Sequence, residues 1–375
     1  MNILHVYKTA LPESMGGVER FLDDLAQGTS QLGAQNKIFC LASRPADKPI
    51  QFNGYEIVQA KQHLFISSTG ISFSAFRKFR DLSKWADVIH YHFPNPFGDL
   101  LHFSLGTRKA SVVTYHSDII RQKWMIKFYQ PLRDRFLQSA DKIVATSPNY
   151  FKTSPVLEKF RDKLSVIPIG IDADEFETPE RERVDYWRCR LPQSFFLFVG
   201  AMRYYKGLNV LLDALKGTDI EVVLAGIGGI ESEIRSRATA LGLKNIIFLG
   251  WVNDDDKKAI LSLCEGFVFP SYLRSEAFGI ALLEAAAAGK PLISCEIGTG
   301  TSYINIHEET GLVVQPGSPE ELRNAMKYLK DHPHIAAKMG VAARTRAKAL
   351  FFPEKQQQAY MNLYRSLVDP KGCKV

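Results

Sequence analysis

Cysteine is scarce in this 375-residue chain, and its few cysteines form no pattern. Their number is odd and no two stand in a CxxC pair; they are Cys40, Cys189, Cys264, Cys295 and Cys373. A disulfide framework or a structural zinc site needs paired, closely spaced cysteines. The pattern therefore excludes both classes and predicts a reduced protein of the cytoplasm without structural zinc.

Long apolar stretches are absent as well. No run approaches the roughly 20 residues that a helix needs to cross a bilayer. The opening residues MNILHVYK have neither the apolar core nor the cleavage site of a secretory signal, and they predict a first strand instead. With 46% hydrophobic and 23% charged residues, the composition is that of a globular protein, and the length predicts two domains.

Acidic residues are too few in the first half to balance the basic ones. Residues 1 to 170 contain 22 Lys and Arg against 14 Asp and Glu, and this excess accounts for the net charge of +7. Such asymmetry predicts an anionic partner for one domain, either nucleic acid or a membrane surface. The chain has no helix-turn-helix, RNP or zinc-finger pattern, so no nucleic-acid partner is expected.

One segment of the basic half fits a membrane surface. Residues 121–136, from Arg121 to Phe136, mix five cations with large apolar and aromatic side chains. This mixture suits an anionic lipid surface. An ordinary amphipathic helix that packs on its own domain explains the pattern equally well. The expected location is cytoplasmic, with attachment to the inner face of the cell membrane left open.

Apolar runs alternate with helical patterns along the chain, which predicts parallel sheets with crossover helices. Helices predicted in the first half include Val18–Leu32 and Ile126–Gln138. The strands predicted there are Asn2–Tyr7, Gln35–Leu41, Val88–Tyr91, Ser111–Tyr115, Lys142–Ala145 and Leu164–Pro168. An acidic, aperiodic segment at residues 169–183 then predicts a linker. The strands predicted after it are Phe195–Val199, Glu221–Ala225, Ile246–Leu249, Gly266–Phe269, Pro291–Ser294 and Gly311–Val314.

Two successive series of this kind predict an α/β fold of two Rossmann-like lobes facing a cleft, with ligands at the carboxyl ends of the strands. The expected domains are residues 1–170 and residues 171–352. A last helix within residues 353–375 is expected to pack back on the first domain. Its apolar positions are Tyr360, Leu363, Tyr364 and Leu367.

The segment from Ser271 to Lys290 carries the strongest functional signal. A buried strand leads into a polar loop with Glu276, and Gly279 then opens an Ala-rich helix that contains Glu284. The start of such a helix binds anions, because its free N–H groups and its dipole favour negative charge. The glutamates are expected to bind hydroxyl groups beside the anion. The alternative is that Glu276 caps the start of the helix and Glu284 is a solvated charge on the helix surface. That alternative is poor for Glu284, because its neighbours in the sequence are apolar and an unpartnered charge there would be costly. An anion with neighbouring hydroxyls describes a sugar nucleotide.

Other strand ends of the second half add to this site. Arg203 and Lys206 follow its first strand and are placed to clamp a diphosphate, unless they are solvated loop charges. A GxGG turn at residues 226–229 is weak evidence alone, since turn chemistry explains it. Trp251 and Val252 follow another strand, where the backbone can receive a nucleobase edge, unless Trp251 belongs to the core.

The first half offers two further candidates. Gly16, Gly17 and Glu19 stand at a loop-to-helix junction, which is another place for an anion. His116 and Asp118 follow a predicted strand and are expected to face the cleft. A lone histidine is more often structural, but the carboxyl end of a strand favours a functional one.

These motifs are similar to those of glycosyltransferase family 4, whose members are retaining enzymes with the two-lobed GT-B fold. The resemblance covers nearly the whole chain. It rests on residues 16–19, on residues 166–172 with Phe176, on Gly200, Arg203, Lys206 and Gly207, and on Glu276 and Glu284 with seven residues between them. The segments RYYKGL, LRSEAFGI and SCEIGTGTS also resemble bacterial O-antigen mannosyltransferases that use GDP-mannose.

The resemblance implies a role for each position. Arg203 and Lys206 would hold the donor diphosphate and stabilise it as it leaves, in place of a divalent metal. Glu284 would bind the ribose hydroxyls, and Glu276 would bind the hydroxyls of the donor sugar. His116 would also contact the donor sugar. Asp118 and Glu19 would lie on the acceptor side. The other implied donor contacts are Phe278, Gly279, Ile280, Gly16, Gly17, Trp251 and Val252.

The expected reaction is retaining transfer of mannose from GDP-mannose to a lipid-linked saccharide in O-antigen and lipopolysaccharide synthesis, without cofactor or metal. A UDP-sugar or GDP-rhamnose donor is the alternative within the same class. A sugar-nucleotide epimerase shares the two-lobed fold, but no additional acid/base cluster is evident in the chain. A non-catalytic partner that binds sugar nucleotides is the remaining alternative, and the four charged motif residues disfavour it.

Overall fold

The computed structural model describes residues 1–14, 16–66, 69–105, 108–119 and 123–369, with only the backbone for residues 123–126. The chain divides into two compact units. The first comprises Met1–Gly170 and Pro353–Val375, and the second comprises Ile171–Phe352. No helix in the described ranges is both long enough and apolar enough to cross a bilayer.

The first unit is built around an eight-stranded sheet. Its strands are β1 (Asn2–Val6), β2 (Gln35–Ala42), β3 (Ile50–Phe52), β4 (Tyr55–Lys61), β7 (Val88–Phe93), β8 (Ala110–Tyr115), β9 (Lys142–Ala145) and β10 (Leu164–Val166). Their order is β10-β9-β8-β7-β1-β2-β4-β3, and only β3 and β4 pair antiparallel among the described strands of this sheet. Two short strands, β5 (Leu64–Ile66) and β6 (Thr69–Ile71), form a separate antiparallel pair.

Helices cover this sheet and bury their apolar faces on it. They are α1 (Gly17–Gln31), α2 (Ser74–Trp85), α3 (Pro96–His102), α4 (Lys123–Ser139) and α5 (Pro148–Thr153). In α1, for example, Phe21, Leu22 and Leu25 are buried at helical spacing. Every residue of the central strand β7 is buried, as expected for a parallel strand that is covered on both faces.

The second unit has six strands, all paired in parallel: β11 (Phe196–Val199), β12 (Val222–Ala225), β13 (Ile246–Gly250), β14 (Gly266–Phe269), β15 (Leu292–Cys295) and β16 (Gly311–Val314). Their order is β13-β12-β11-β14-β15-β16. Its helices are α6 (Arg181–Arg188), α7 (Leu208–Leu215), α8 (Glu231–Ala240), α9 (Asp254–Leu263), α10 (Ile280–Ala287), α11 (Thr301–Ile304), α12 (Pro319–Asp331) and α13 (Pro333–Leu350).

Each sheet reverses its winding direction once. In the second unit the chain runs outward from β11 to β13 and then returns to start again at β14, beside β11. In the first unit the same reversal falls between β1 and β7. The loops that leave the two strands at such a point diverge, which opens a crevice at the carboxyl ends of the strands. Each unit therefore has one place where the topology itself favours a ligand.

The last helix, α14 (Pro353–Val368), belongs to the first unit. It packs on α1 and contacts β7 and β8. Tyr360 and Tyr364 are fully buried there; the Tyr360 hydroxyl lies 2.8 Å from Thr114 Oγ1, and the Tyr364 hydroxyl lies 2.7 Å from His90 Nδ1. Polar contacts inside an apolar interface fix the register of α14 on the sheet.

The predicted linker is wrong in its extent. From Ile171 onward the segment folds onto the second unit, where Phe176 is buried and Lys348 forms ion pairs with Asp174 and Glu177. Helix α6 follows at once and packs on α9. The acidic composition suggested a solvated linker because the cation that the two carboxylates pair with lies far away in the sequence.

The cysteines are unpaired in the described part of the chain. Cys40, Cys264 and Cys295 are buried and Cys189 is exposed. Cys373 lies outside the described residues.

Candidate functional site

The loop after β11 carries the first part of the site in the second unit. Arg203 is exposed at the start of a short 3₁₀ helix, Tyr204–Lys206, whose last residue has only 8% of its surface exposed. Burial raises the pKa of the Tyr205 hydroxyl well above its usual range, and the negative charge of Glu276 raises it further. Tyr205 therefore stays a neutral group beside the cation of Lys206.

The loop after β14 carries the second part and leads into α10. Gly279 is the residue before this helix, and its φ of +94° lies in the left-handed region that glycine adopts without strain. The chain can thus turn sharply from the loop into the helix. Phe278 is buried just before the turn, and Ile280 is the first helical residue. The free N–H groups of α10 open at the switch between β14 and β11.

Lys206 and Glu276 bring the two loops together. The Lys206 ammonium lies 2.5 Å from Glu276 Oε2 and 4.5 Å from the centre of the Phe269 ring. Ser271 Oγ donates to the same carboxylate oxygen at 3.3 Å. These contacts hold the cation and the carboxylate in one place at the topological switch point, with both charges mostly removed from water.

Glu284 is held by a cation that the sequence motifs do not contain. It lies on α10, is buried, and accepts a hydrogen bond from Lys257 on α9 at 2.7 Å. Lys257 also lies 3.0 Å from Asp254. A buried carboxylate requires such a partner, because an unpaired charge in the interior is costly. Lys257 was missed because it stands in a charged run that reads as a solvated helix start.

The glycine-rich turn at residues 226–229 has a specific steric role. A side chain on Gly228 would overlap the backbone of Met202 in the loop after β11, whereas one on Gly229 would meet nothing. Gly226 likewise lies against the backbone of Gly200. The turn therefore lets two backbones touch and supports the loop that carries Arg203.

The residues after β13 lie at the same edge of the sheet. Trp251 is 63% exposed, and Val252 is half-buried. The alternative that Trp251 belongs to the core is therefore wrong. Its indole is open to solvent, and its role as a donor contact stays a prediction.

In the first unit, Gly16 and Gly17 are exposed at the start of α1, and Met15 before them lies outside the described residues. Glu19 is buried instead of open to a ligand. It accepts hydrogen bonds from Thr9 Oγ1 at 2.5 Å and from Ser14 Oγ at 3.3 Å. The structure thus gives Glu19 a clear second role, because it ties the loop after β1 to α1.

His116 and Asp118 follow β8, as the sequence predicts, but they have different surroundings. Asp118 Oδ1 accepts hydrogen bonds from the Tyr115 hydroxyl at 2.9 Å and from Ser154 Oγ at 3.3 Å. His116 is 6% exposed and stacks on His92 with a distance of 5.3 Å between ring centres. Burial lowers the pKa of His116 to about 3, so it is neutral at physiological pH.

The histidines behind His116 are the other group that sequence reasoning missed. His90 and His92 are two residues apart on β7 and thus share one face of the sheet, while His5 pairs with His90 across β1 and β7. The His-x-His spacing on a predicted strand is a signal that could have found them.

Two mainly parallel sheets, each wound around a switch point and covered by helices, are the architecture of the GT-B class of glycosyltransferase. A solved structure of sucrose-phosphate synthase from Thermosynechococcus elongatus has the same fold, with a TM-score of 0.82 over 99% of this chain and 100% of that chain, at 22% identity. Residues 15–175 match the family model described as Glycosyltransferase Family 4, and residues 187–346 match Glycosyl transferases group 1.

Two curated relatives are similar over almost their whole length. D-rhamnosyltransferase WbpZ of Pseudomonas aeruginosa is 53% identical over 351 residues, which is 94% of this chain and 92% of the relative. O-antigen chain mannosyltransferase C of Escherichia coli is 44% identical over 372 residues, which is 99% of this chain and 100% of the relative. The chain belongs to glycosyltransferase family 4, and it is a hexosyltransferase.

Proposed function

We propose that the protein transfers a sugar of the D-manno series from a GDP-activated donor to a lipid-linked saccharide in O-antigen assembly, with retention at the anomeric carbon. The 44% identical relative is named for mannose transfer and the 53% identical one for D-rhamnose transfer. D-Rhamnose is 6-deoxy-D-mannose, so the two donors differ only at carbon 6. GDP-mannose is the first candidate donor, and GDP-D-rhamnose is the second.

The pairing of Lys206 with Glu276 between neighbouring strand ends carries this proposal. The Glu276 carboxylate neutralises the Lys206 cation in the structure. A donor diphosphate would attract Lys206, and exposed Arg203 would add a second contact, each such charge-assisted bond contributing roughly 1.5–3 kcal/mol. Glu276 would then be released to accept hydrogen bonds from hydroxyl groups of the sugar.

Cleavage of the anomeric bond places negative charge on the departing diphosphate. Arg203, Lys206 and the free N–H groups of α10 are positioned to stabilise that charge, and preorganised electrostatic stabilisation contributes more than any other effect to the rates of many enzymes. Because these groups would do the work of a divalent ion, we propose that no metal is needed. Activity should then be unchanged by EDTA.

The remaining residues would orient the substrates. Glu284, held by Lys257, would accept hydrogen bonds from the ribose hydroxyls, and His116 would contact the donor sugar. Glu276 is proposed as a positioning residue, since its ion pair gives no sign of a nucleophile. The acceptor hydroxyl would attack from the face that the leaving group vacates. Gly16 and Gly17 would lie close to the donor phosphate and the acceptor, and Asp118 would lie on the acceptor side.

The decisive experiment offers purified protein GDP-mannose, GDP-D-rhamnose and UDP-glucose with a lipid-pyrophosphate saccharide acceptor. Transfer from one GDP-sugar with retained anomeric configuration is the expected result. Transfer from UDP-glucose alone would overturn the choice of donor. Interconversion of the donor without any acceptor would indicate an epimerase, and donor binding without chemistry would indicate a non-catalytic partner.

The Lys206→Ala variant tests the proposed clamp. Loss of one preorganised charge stabiliser should lower kcat by roughly 100-fold or more. Lys216→Ala is the matched control, because Lys216 is an exposed lysine of the same unit. Equal activity of both variants would contradict the role of Lys206.

We also propose that the first unit docks on an anionic membrane, where a lipid-linked acceptor resides. Three of its most exposed apolar side chains are Phe65 on β5, which is 66% exposed, Phe73 beside β6, which is 70% exposed, and Phe128 on α4, which is 85% exposed. Helix α3 contacts both β6 and α4. The basic excess of residues 1–170 complements an anionic surface.

The predicted membrane segment Arg121–Phe136 is only partly an exposed apolar surface. Arg121 lies outside the described residues, and Phe136 is buried against Tyr91, with 5.1 Å between the ring centres. The helix thus packs on its own unit through one end and exposes Phe128 near the other. Apolar side chains on β5 and before α2 extend the surface beyond the predicted segment.

Vesicle sedimentation tests the docking surface. Phe65→Asp and Phe128→Asp together should reduce binding to vesicles with phosphatidylserine at low salt by roughly tenfold or more, since burial of each side chain contributes about 1.5–3 kcal/mol. Val341→Asp is the matched control, because Val341 is 67% exposed on α13 of the second unit. Unchanged binding by the double variant would exclude this surface.

A further inference from the structure

Four histidines lie together in the interior of the first unit. His5, His90 and His92 are fully buried, and His116 has a small exposed surface. They come from the strands β1 and β7 at the switch point and from the residue that follows β8. A cluster of imidazoles at this place calls for a chemical role, because burial of polar rings is costly unless their nitrogens are bonded.

The cluster is not arranged to hold a metal ion. One ring nitrogen each of His5, His90 and His92 lies within 4.8 Å of the others. However, every ring nitrogen of the three already has a hydrogen-bond partner. Those of His90 contact Thr114 Oγ1 and the Tyr364 hydroxyl, both at 2.7 Å. A metal would have to break several of these bonds, so the hydrogen-bond pattern is the feature to explain.

Asn36 fixes the direction of one series of hydrogen bonds. Its amide nitrogen donates to Ala26 O, Thr29 Oγ1 and Ser30 Oγ at 2.9–3.0 Å. Its Oδ1 therefore faces His5 Nε2, 3.1 Å away, and only accepts. His5 must donate its Nε2–H to Asn36.

Because His5 donates to Asn36, the donor and acceptor nitrogens of the next imidazoles are fixed in turn. Burial lowers the pKa of His5 to about 4 and that of His92 well below its usual range, so each ring is neutral and has one N–H. With its proton on Nε2, His5 accepts at Nδ1 from His92 Nε2, 3.2 Å away. His92 then accepts at Nδ1 from His116 Nε2 at 3.0 Å.

His116 is the last member of this series and the only one of its three histidines with exposed surface. Its proton lies on Nε2, so its Nδ1 has an unshared electron pair, and Nδ1 has no hydrogen-bond partner among the described residues. The ring is held between His92 and the edge of Phe21, whose ring centre is 4.9 Å away. Phe21 stands one turn after the Gly16-Gly17 junction on α1.

We propose that His92, His5 and Asn36 are positioning residues, which hold His116 as the Nε2–H tautomer and thereby present its Nδ1 as a hydrogen-bond acceptor to a hydroxyl group of the sugar substrate. This inference rests on the proposed function, in which His116 contacts the sugar. It adds the chemical class of sugar that the contact with His116 would select. A neutral acceptor binds a hydroxyl donor and repels a carboxylate, so a neutral sugar is favoured over a uronic acid.

The tautomers can be read directly in the full-length protein labelled with [15N]histidine. Long-range 1H–15N spectra at pH 7.5 distinguish protonated from unprotonated ring nitrogens, and single His→Gln variants assign the signals. The expected result is an Nε2–H tautomer for each of His5, His92 and His116. An Nδ1–H tautomer at His116 would overturn the proposal, and this measurement requires no activity.

Substitutions of His92 test the link to catalysis. His92→Phe removes the acceptor for His116, which should then change tautomer, and kcat/KM for the donor should fall roughly tenfold, as for loss of one hydrogen bond. His92→Gln can still accept from His116 and donate to His5, so it should keep the tautomer and stay within about threefold of wild type. Tyr364→Phe is the control, because it breaks a buried bond to His90 outside this series.

The outcomes separate the two proposals. An unchanged His116 tautomer in His92→Phe would overturn the positioning role of the series. Equal loss of kcat/KM in His92→Phe, His92→Gln and Tyr364→Phe would show a merely structural role and would also overturn it. Full activity of His116→Ala, with the tautomers as expected, would instead remove His116 from the proposed function and with it the selection of a hydroxyl.

Discussion

Single side chains of this protein are defined as much by their partners as by their own chemistry. Glu284 stands in an apolar stretch of α10, and Lys257 makes its charge tolerable there. The sequence motif contains the carboxylate but not the cation, since the two belong to different helices. The pair is the residue-scale feature most open to test, because both members are buried.

Replacing Lys257 by Met should leave the Glu284 carboxylate without its main partner. Removal of one member of a buried ion pair costs about 3–5 kcal/mol of unfolding free energy. Urea denaturation measures this loss, and Lys84→Met is the control, since the exposed Lys84–Asp81 pair should contribute no more than about 1 kcal/mol. A Lys257 variant as stable as the control would contradict the assignment.

The close backbone contact at Gly228 gives a second prediction. In Gly228→Ala the added methyl group must displace the backbone of Met202, and overpacking of this kind costs roughly 1–3 kcal/mol. Gly229→Ala, one residue on, has open space and should be close to neutral. Thermal unfolding and donor titration check both variants. Because Met202 immediately precedes Arg203, we expect weaker donor binding only in Gly228→Ala.

At the scale of elements, apolar runs predicted the parallel strands of both units except β4, because most of the buried strands are rich in Val, Ile, Leu and Phe. The pair β3 and β4 was missed, although Asn53-Gly54 between them is a recognised hairpin signal. The strands β5 and β6 were missed because they are short and largely exposed. The three-residue strands β3, β5 and β6 are too short to leave a periodic pattern, whereas β4 lies inside the sheet and is interrupted in sequence by Glu56, Gln59 and Lys61.

In the candidate site, too, only features that are visible within a short stretch of sequence were predicted. Residues such as Lys206 and Glu276 were found because a local motif surrounds them, and the structure places them 2.5 Å apart. Partners supplied by distant segments, such as Lys257 and the histidines on β7, were not found. Their role exists only after the strands pair and the helices pack, which no short window of sequence contains.

The contact of α14 with the first unit leads to a third prediction. Tyr364→Ala should remove a buried ring and the hydroxyl that contacts His90, which costs about 3–5 kcal/mol. Hydrogen exchange should become faster in β7 and β8 but not in β14 and β15. Tyr328→Ala on α12 is the control, since Tyr328 is 39% exposed. Faster exchange in both sheets would contradict a local role of α14.

For the whole molecule, the buried histidines predict a pH dependence of stability. The native pKa of His5 is about 4 and that of His116 about 3, below the ordinary value of 6.5, and those of His90 and His92 are also lowered. As the pH falls, the histidines of the unfolded state therefore take up protons before those of the native state. The contribution to stability is complete above pH 6.5 and is lost as the pH falls toward 4 and then 3, at roughly 1.4 kcal/mol per pH unit for each histidine.

Urea denaturation between pH 7.5 and 4.5 checks this slope. His5→Gln should reduce the slope of stability against pH by the contribution of about one histidine. His334→Gln, at an exposed position on α13, should not change the slope. Asp99 acts in the opposite sense, because burial raises its pKa to about 8 and favours the protonated form. Its contribution is lost as the pH rises, so it offsets part of the histidine effect. A flat profile in the wild type would contradict the buried, neutral state of the cluster.

The return of α14 to the first unit affects the order of events during synthesis. Residues 1–170 leave the ribosome first, yet the face of β7 and β8 with His90 and Thr114 waits for a helix that begins at Pro353. All of the second unit is translated in between. Until then the surface of the first unit that α14 covers stays open to solvent in the nascent chain. Premature termination before residue 353 would therefore leave the first unit without α14, although its residues 1–170 had already been translated.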